Sequence, residues 1–147
     1  MGSPRHGYFA YGSNLCANQM AQRCPQAIDP RPAVLADHDW LINQRGVATV
    51  LSRPGARVHG VLWQISGTDL AALDRAEGVP LRYRRDELIV HTDGDAAPAW
   101  VYIDHRIHPG VPRPGYLERI LDGAAQHRLP PTWVEFLHGF AAQRDVR

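Results

Sequence analysis

Tyr8-Phe9-Ala10-Tyr11-Gly12-Ser13-Asn14-Leu15 is an apolar, aromatic run that breaks at a glycine and passes through Ser-Asn into a segment of helical character. Gly7 to Tyr11 reads as a short buried strand. Asn14 reads as the N-cap of a helix over Leu15 to Arg23, which Cys24-Pro25 stops. A strand that feeds a helix start through a glycine turns backbone N–H groups outward, where dipole and unsatisfied donors favour an anion. Gly12 adds a backbone conformation closed to other residues. The loop is too short for a dinucleotide fingerprint and lacks the lysine of a P-loop, so a small carboxylate suits it better than a polyphosphate. Taken alone, Gly-Ser-Asn reads first as an ordinary strand-to-helix turn.

Outward from this stretch, Pro25 to Pro32 is a proline-rich connection, Ala33 to Gln44 a long irregular strand and Val47 to Leu51 a β-branched one. Arg53-Pro54-Gly55-Ala56 reads as a turn, which makes Val58 to Ile65 the hairpin partner of the strand before it. Ser66-Gly67-Thr68-Asp69 has capping-box spacing and opens a helix through Leu70 to Ala76, with Gly78 as its C′ residue before Pro80. Strands follow at Tyr83 to His91 and Ala99 to Asp104, around the turn Thr92-Asp93-Gly94-Asp95. Two helices, Pro114 to His127 and Pro131 to Ala142, close the chain. Strands interleaved with a few helices, without regular βαβ alternation, predict an α+β fold with a curved sheet or small barrel.

The 147 residues suffice for one domain with a real core. That domain is expected over residues 7–147, with Met1 to His6 set aside as a flexible start or cloning scar. A net charge of +1 gives no electrostatic case for nucleic acid or an anionic membrane. Arg82, Arg84 and Arg85 form the one close cationic group and read as a solvated face. No run approaches the ~18 apolar residues of a membrane span, and nothing resembles a signal peptide. Cys16 and Cys24 flank the first helix, roughly 12 Å apart if it is continuous. That distance is too long for a disulfide, so free thiols in a reducing cytoplasm are expected.

Glu77 is the second informative residue. At about 100° per residue, Leu73 falls at about 300° and Glu77 at about 340° from Leu70, while Arg75 falls at about 140°. Glu77 therefore extends the apolar stripe that faces inward. It also sits in the last helical turn, where the dipole disfavours a negative charge. Both effects raise a carboxyl pKa, and a carboxyl so tuned can take and return a proton near neutrality. The competing reading turns Glu77 to solvent or pairs it with Arg84 or Arg85. Ser13 is a weaker nucleophile candidate, since Gly-x-Ser-x-Gly is absent. His105 and His108 form a lone His-x-x-His without further ligands at metal-site spacing. Tyr83 and Tyr116 read as core tyrosines or as hydroxyls of a polar pocket. Trp40, Trp63, Trp100 and Trp133 read as core or interface, and Trp133 with Phe136 as core or a dimer face.

The loop Tyr8–Leu15 together with Leu73-Asp74-Arg75-Ala76-Glu77-Gly78-Val79 resembles the γ-glutamylcyclotransferase family, including its AIG2-like and antibiotic-biosynthesis relatives. Gly46-Val47-Ala48-Thr49-Val50, Val58-His59-Gly60-Val61-Leu62-Trp63, Tyr83 and Tyr116 to Ala124 fall in the expected order, so the resemblance spans nearly the whole chain. It implies a small mixed β-barrel flanked by helices. It implies that the backbone of Gly12, Ser13, Asn14 and Leu15 binds the amino-acid end of a γ-glutamyl group, that Tyr11, Tyr83 and Tyr116 line the pocket, and that Glu77 is general base and then acid. The reaction implied is intramolecular cyclisation to 5-oxoproline with release of an amino acid or amine, without metal, nucleotide or other cofactor. Glutathione-specific relatives read Tyr-Gly-Ser-Leu. Asn14 aligns this chain instead with the γ-glutamyl-amino-acid and γ-glutamyl-amine branch. The partner implied is the small-molecule γ-glutamyl substrate, on a cytoplasmic monomer or homodimer. Two other functions compete: a γ-glutamyl hydrolase with Ser13 as nucleophile, and a non-catalytic module binding a small carboxylate. The loops expected around the leaving group are Asn43 to Gly46 and His105 to Pro114.

Overall fold

Two long antiparallel strands, β2 (Ile28–Ile42) and β3 (Ala48–Ile65), set the architecture in a computed structural model that describes residues 5–144. β1 (His6–Ala10) pairs with β3, β4 (Arg84–Thr92) and β5 (Asp95–Ile103) form a hairpin, and a parallel bridge from Tyr8 to Trp100 closes the sheet into a mixed barrel ordered β1-β3-β2-β4-β5. Each strand contributes an inward side chain: Phe9, Leu35, Leu62, Val90 and Val101 are almost wholly buried. Around the barrel lie α1 (Ala17–Arg23), α2 (Gly67–Glu77), α3 (Tyr116–Gln126) and α4 (Pro131–Arg144). The expected α+β barrel is the observed one.

Several boundaries differ from the sequence reading. Val47–Leu51 and Val58–Ile65 are not partners of each other. They lie in one strand, and both halves pair with β2, as in Val50 with Trp40 and Val58 with Leu35. Arg53 to Ala56 bulges out of that ladder opposite Asp37, whose carboxylate accepts the Gly55 N–H at 2.9 Å. The local signal of Pro-Gly was real, but the long partner strand carries β3 through it. β2 begins at Ile28, inside the expected connection, because Pro30 and Pro32 lie where β2 has no second ladder to donate to; its one bridge to β4 is Val34 with His91. The β4–β5 hairpin turns at Asp93-Gly94 as expected, although β5 already starts at Asp95. His6 belongs to β1 and Arg5 donates to Gln26 O at 2.5 Å, so the stretch set aside was too long. Residues 1–4 and 145–147 lie outside the described residues, as does that end of the expected domain.

At the start of the chain, Ser13–Leu15 is a 3-10 turn and α1 begins only at Ala17. Asn14 is therefore not an N-cap: it lies within the turn, 3 % exposed, with its side chain turned inward. The first donor of α1, Ala17 N–H, is taken by Gln126 Oε1 at 2.9 Å. α3 packs directly on this turn, because Gly123 has no side chain; a Cβ there would lie 2.3 Å from the Leu15 carbonyl carbon. His127 Nε2 meets Leu15 O at 3.1 Å on the same seam. Gly123→Ala is expected to lower stability by about 1–3 kcal/mol through overpacking against backbone. Denaturant unfolding measures it; an unchanged midpoint would contradict the close approach.

Trp133 is core, stacked on Phe136 with centroids 4.8 Å apart and edge-on to Trp40, while Phe136 stays 40 % exposed. Trp40 is buried, as is Trp63, and Trp100 lies under the Arg85 guanidinium at 4.4 Å. Cys16 and Cys24 are buried free thiols. No helix among the described residues is long and apolar enough to cross a membrane.

Candidate active site

The end of α2 is built to hold Glu77 in place. Ser66 Oγ accepts the Asp69 N–H at 3.1 Å and Asp69 Oδ2 accepts the Ser66 N–H at 3.4 Å, the reciprocal cap expected from the sequence. At the other end Gly78 adopts φ +67°, with Gly78 N–H on Arg75 O at 3.2 Å and Val79 N–H on Asp74 O at 3.0 Å. This is the Schellman arrangement, and the left-handed residue it needs is glycine. Glu77 is thereby fixed one residue before the stop, with Leu70 and Leu73 buried along the same stripe.

Glu77 faces a cavity of about 270 Å³, toward the small end of ligand pockets. Its side chain is 17 % exposed. Burial raises its pKa above the usual carboxylate range, opposed by the cations of Arg23 and Arg45 and by the Asn14 amide. Arg23 Nη1 lies 3.8 Å from Glu77 Oε1. The suggested partners Arg84 and Arg85 are instead paired with Asp86 at 2.9 Å and Asp74 at 3.0 Å. Arg82, the third of that trio, lines the cavity.

Asn14 is the hub beneath the carboxylate. Its Nδ2 donates to Tyr8 Oη at 2.8 Å and to Glu77 Oε1 at 3.3 Å. Its Oδ1 accepts from Gln19 Nε2 and Arg23 Nη1, both at 3.0 Å. The amide is saturated by protein, so its side chain orients Glu77.

All five tyrosines line the cavity. Tyr11 Oη donates to the carbonyl of Tyr102, and Trp40 Nε1 holds the Tyr11 carbonyl at 2.9 Å. Tyr83 and Tyr116 clamp one residue between them: Tyr83 Oη donates to Ala48 O, and Tyr116 Oη accepts the Ala48 N–H, each at 2.9 Å. Burial raises all five phenol pKa values, that of Tyr116 to about 12, so these groups stay neutral at physiological pH. Tyr116 uses its oxygen as acceptor toward Ala48 and keeps a proton to donate.

The sequence profile described as "Gamma-glutamyl cyclotransferase, AIG2-like" matches residues 8–119, which contain every one of these groups. The chain belongs to that family. A mouse protein named gamma-glutamylcyclotransferase is 32% identical over 142 residues, covering 88% of this chain and 76% of the mouse protein. The human protein of that name is 33% identical over 142 residues, with the same two coverages. A solved structure titled "Gamma-glutamyl cyclotransferase" superposes with a TM-score of 0.85 at 31% identity, covering 92% of this chain and 87% of that one.

The loop differs from its sequence-based expectation in two ways. Leu15 is wholly buried and its N–H is bound to Gly12 O at 3.0 Å, so neither its side chain nor its donor reaches the cavity. Gly12 has φ −127°, outside the left-handed region. Glycine there leaves room for the phenol, since a Cβ would lie 3.1 Å from Tyr116 Oη and press on it. The N–H groups of Gly12, Ser13 and Asn14 have no backbone acceptor among the described residues, and they are the donors left for a ligand. Ser13 Oγ accepts from Gln19 Nε2 at 2.7 Å, and no histidine is among the residues lining the cavity.

Tyr8, Gln19, Arg23, Arg45 and Tyr102 were missed as site residues. Gln19 and Arg23 are spaced i, i+4, which places them on one face of α1. Arg45 came from a long-range pairing with Asp104 that no local pattern encodes. The expected leaving-group loops do converge: Arg113 N–H meets Gly46 O at 3.0 Å and Gly110 N–H meets Ile42 O at 2.9 Å.

Proposed function

We propose that this family member is a γ-glutamylcyclotransferase acting on γ-glutamyl amino acids or amines. The observation that carries the reading is the meeting, in one small cavity, of a buried carboxyl with raised pKa and a turn with unpaired N–H groups. The N–H groups of Gly12, Ser13 and Asn14 hold the substrate α-carboxylate. The α-amine then faces Glu77, which takes its proton as the nitrogen attacks the γ-carbonyl carbon. The tetrahedral intermediate collapses with cleavage of the C–N bond to the leaving amine, and Glu77 returns the proton to that nitrogen. The products are 5-oxoproline and the free amine, balanced without added water. Because attack is intramolecular, positioning supplies much of the acceleration. Tyr11 and Tyr83 shape the wall, and the Tyr116 hydroxyl is a neutral donor beside the loop. Buried free thiols suit the cytoplasm as the site of action.

Incubation with γ-glutamyl-alanine is expected to give 5-oxoproline and alanine. Ser13→Ala is expected to retain turnover, because Ser13 Oγ is held by Gln19 with no base beside it. Glutamate as product, with activity lost in Ser13→Ala, would establish the hydrolase; binding without turnover would establish the non-catalytic module.

Arg23 tunes the shuttle. Its cation stabilises ionised Glu77, so Arg23→Met is expected to raise the Glu77 pKa further and move the acid limb of kcat/KM to higher pH. A pH–rate profile reads this shift, and an unmoved limb would sever Glu77 from it.

A further inference from the structure

Five arginines and a single carboxylate line the cavity: Arg23, Arg45, Arg82, Arg113 and Arg119 against Glu77. The whole chain carries only +1, so positive charge is concentrated at this mouth. Two of the five are occupied. Arg23 faces Glu77, and Arg45 lies 3.1 Å from Asp104, a fully buried carboxylate shared with Arg106 at 2.8 Å. Arg82, Arg113 and Arg119 remain on the cavity wall, where Glu77 is the one carboxylate among the lining residues.

These three are anchored at the rim. Arg113 Nε donates to Arg45 O at 2.8 Å, Arg82 N–H binds Gly78 O at 2.9 Å, and Arg119 sits in the first turn of α3. They therefore gather around the end of the pocket built from the β2–β3 turn, the loop after α2 and the loop before α3. A γ-glutamyl dipeptide with a neutral second residue brings one carboxylate for the Gly12–Asn14 turn and one for the rim. Three guanidinium groups on that wall exceed that demand.

We infer that the preferred leaving group is a dicarboxylic amino acid, so that the substrate is a γ-glutamyl dipeptide with an acidic second residue gripped by Arg82, Arg113 and Arg119. The inference rests on the cyclotransferase reading of the site. A lysine linked through its side-chain nitrogen is the disfavoured case, because the amide is uncharged and its α-ammonium cancels its α-carboxylate. Because these arginines are exposed at the mouth, the preference is screened by salt and acts on KM more than on kcat.

The test measures 5-oxoproline release from γ-glutamyl-glutamate, γ-glutamyl-alanine and ε-(γ-glutamyl)-lysine at low and high ionic strength. The expected order of kcat/KM is glutamate, alanine, lysine, with about a five- to tenfold lead of glutamate over alanine at low salt that shrinks at high salt. Arg82→Glu and Arg113→Glu, two separate exposed substitutions, are each expected to cut that lead severalfold and to raise the relative rate on the lysine conjugate. Equal or inverted wild-type rates, or a lead untouched in both variants, would overturn the inference while leaving cyclisation intact. Release from none of the three would overturn cyclisation as well.

Discussion

Glu77→Gln is expected to lower kcat for 5-oxoproline release by about a thousandfold, the scale of a lost general acid–base group, in a protein that stays folded. The amide keeps the shape of the side chain and its place before Gly78, but it cannot accept the amine proton. Stability moves the other way. Burial raises the folded-state pKa of Glu77 above its unfolded value. A carboxyl shifted upward contributes fully below its unfolded pKa, and that contribution is lost as pH rises through the folded value. At neutral pH the ionised group is thus a liability that glutamine removes. The variant is expected to melt at the same temperature as the wild type or higher, with any gain disappearing in acid. Thermal unfolding across pH and steady-state kinetics check both halves. Wild-type kcat in this variant would remove Glu77 from the mechanism.

The second large effect falls on Asn14. Asn14→Ala deletes one amide that joins Tyr8, Gln19, Arg23 and Glu77, so the carboxylate loses its fixed direction. Misplacement of a reacting group by about an ångström costs about a hundredfold in rate, and a loss of that order is expected in kcat, with KM changed less. Asn14→Asp sets a second negative charge beside Glu77 and is expected to drive the acid limb of the pH profile upward. Normal kcat with a raised KM in Asn14→Ala would make the Asn14 side chain a substrate ligand instead of a support for Glu77.

What could be read from the chain follows from how local each feature is. The α2 caps are written within a few residues, Ser66 to Asp69 and Glu77 to Gly78, and helical geometry alone turned Glu77 inward. Its true cation, Arg23, comes from another helix, so nearness in sequence to Arg84 and Arg85 misled. Asn14 showed the limits of propensity. Ser-Asn before a helical stretch predicts a cap, but tertiary demand pulls the side chain into the barrel, and the turn becomes 3-10. Likewise Pro54-Gly55 signals a turn, yet pairing of both flanks with β2 overrides the reversal. Tyr83 and Tyr116 were placed in the pocket by resemblance. Their common grip on Ala48 joins the loop after α2 and the start of α3 to β3, a contact that no spacing foretells.

The central claim is that the substrate amine, rather than water or Ser13, attacks the γ-carbonyl while Glu77 carries the proton. Turnover of γ-glutamyl-alanine in water labelled with heavy oxygen, with mass analysis of the product, tests it most directly. The prediction is 5-oxoproline free of label, formed by the wild type and not by Glu77→Gln. Labelled glutamate would contradict it.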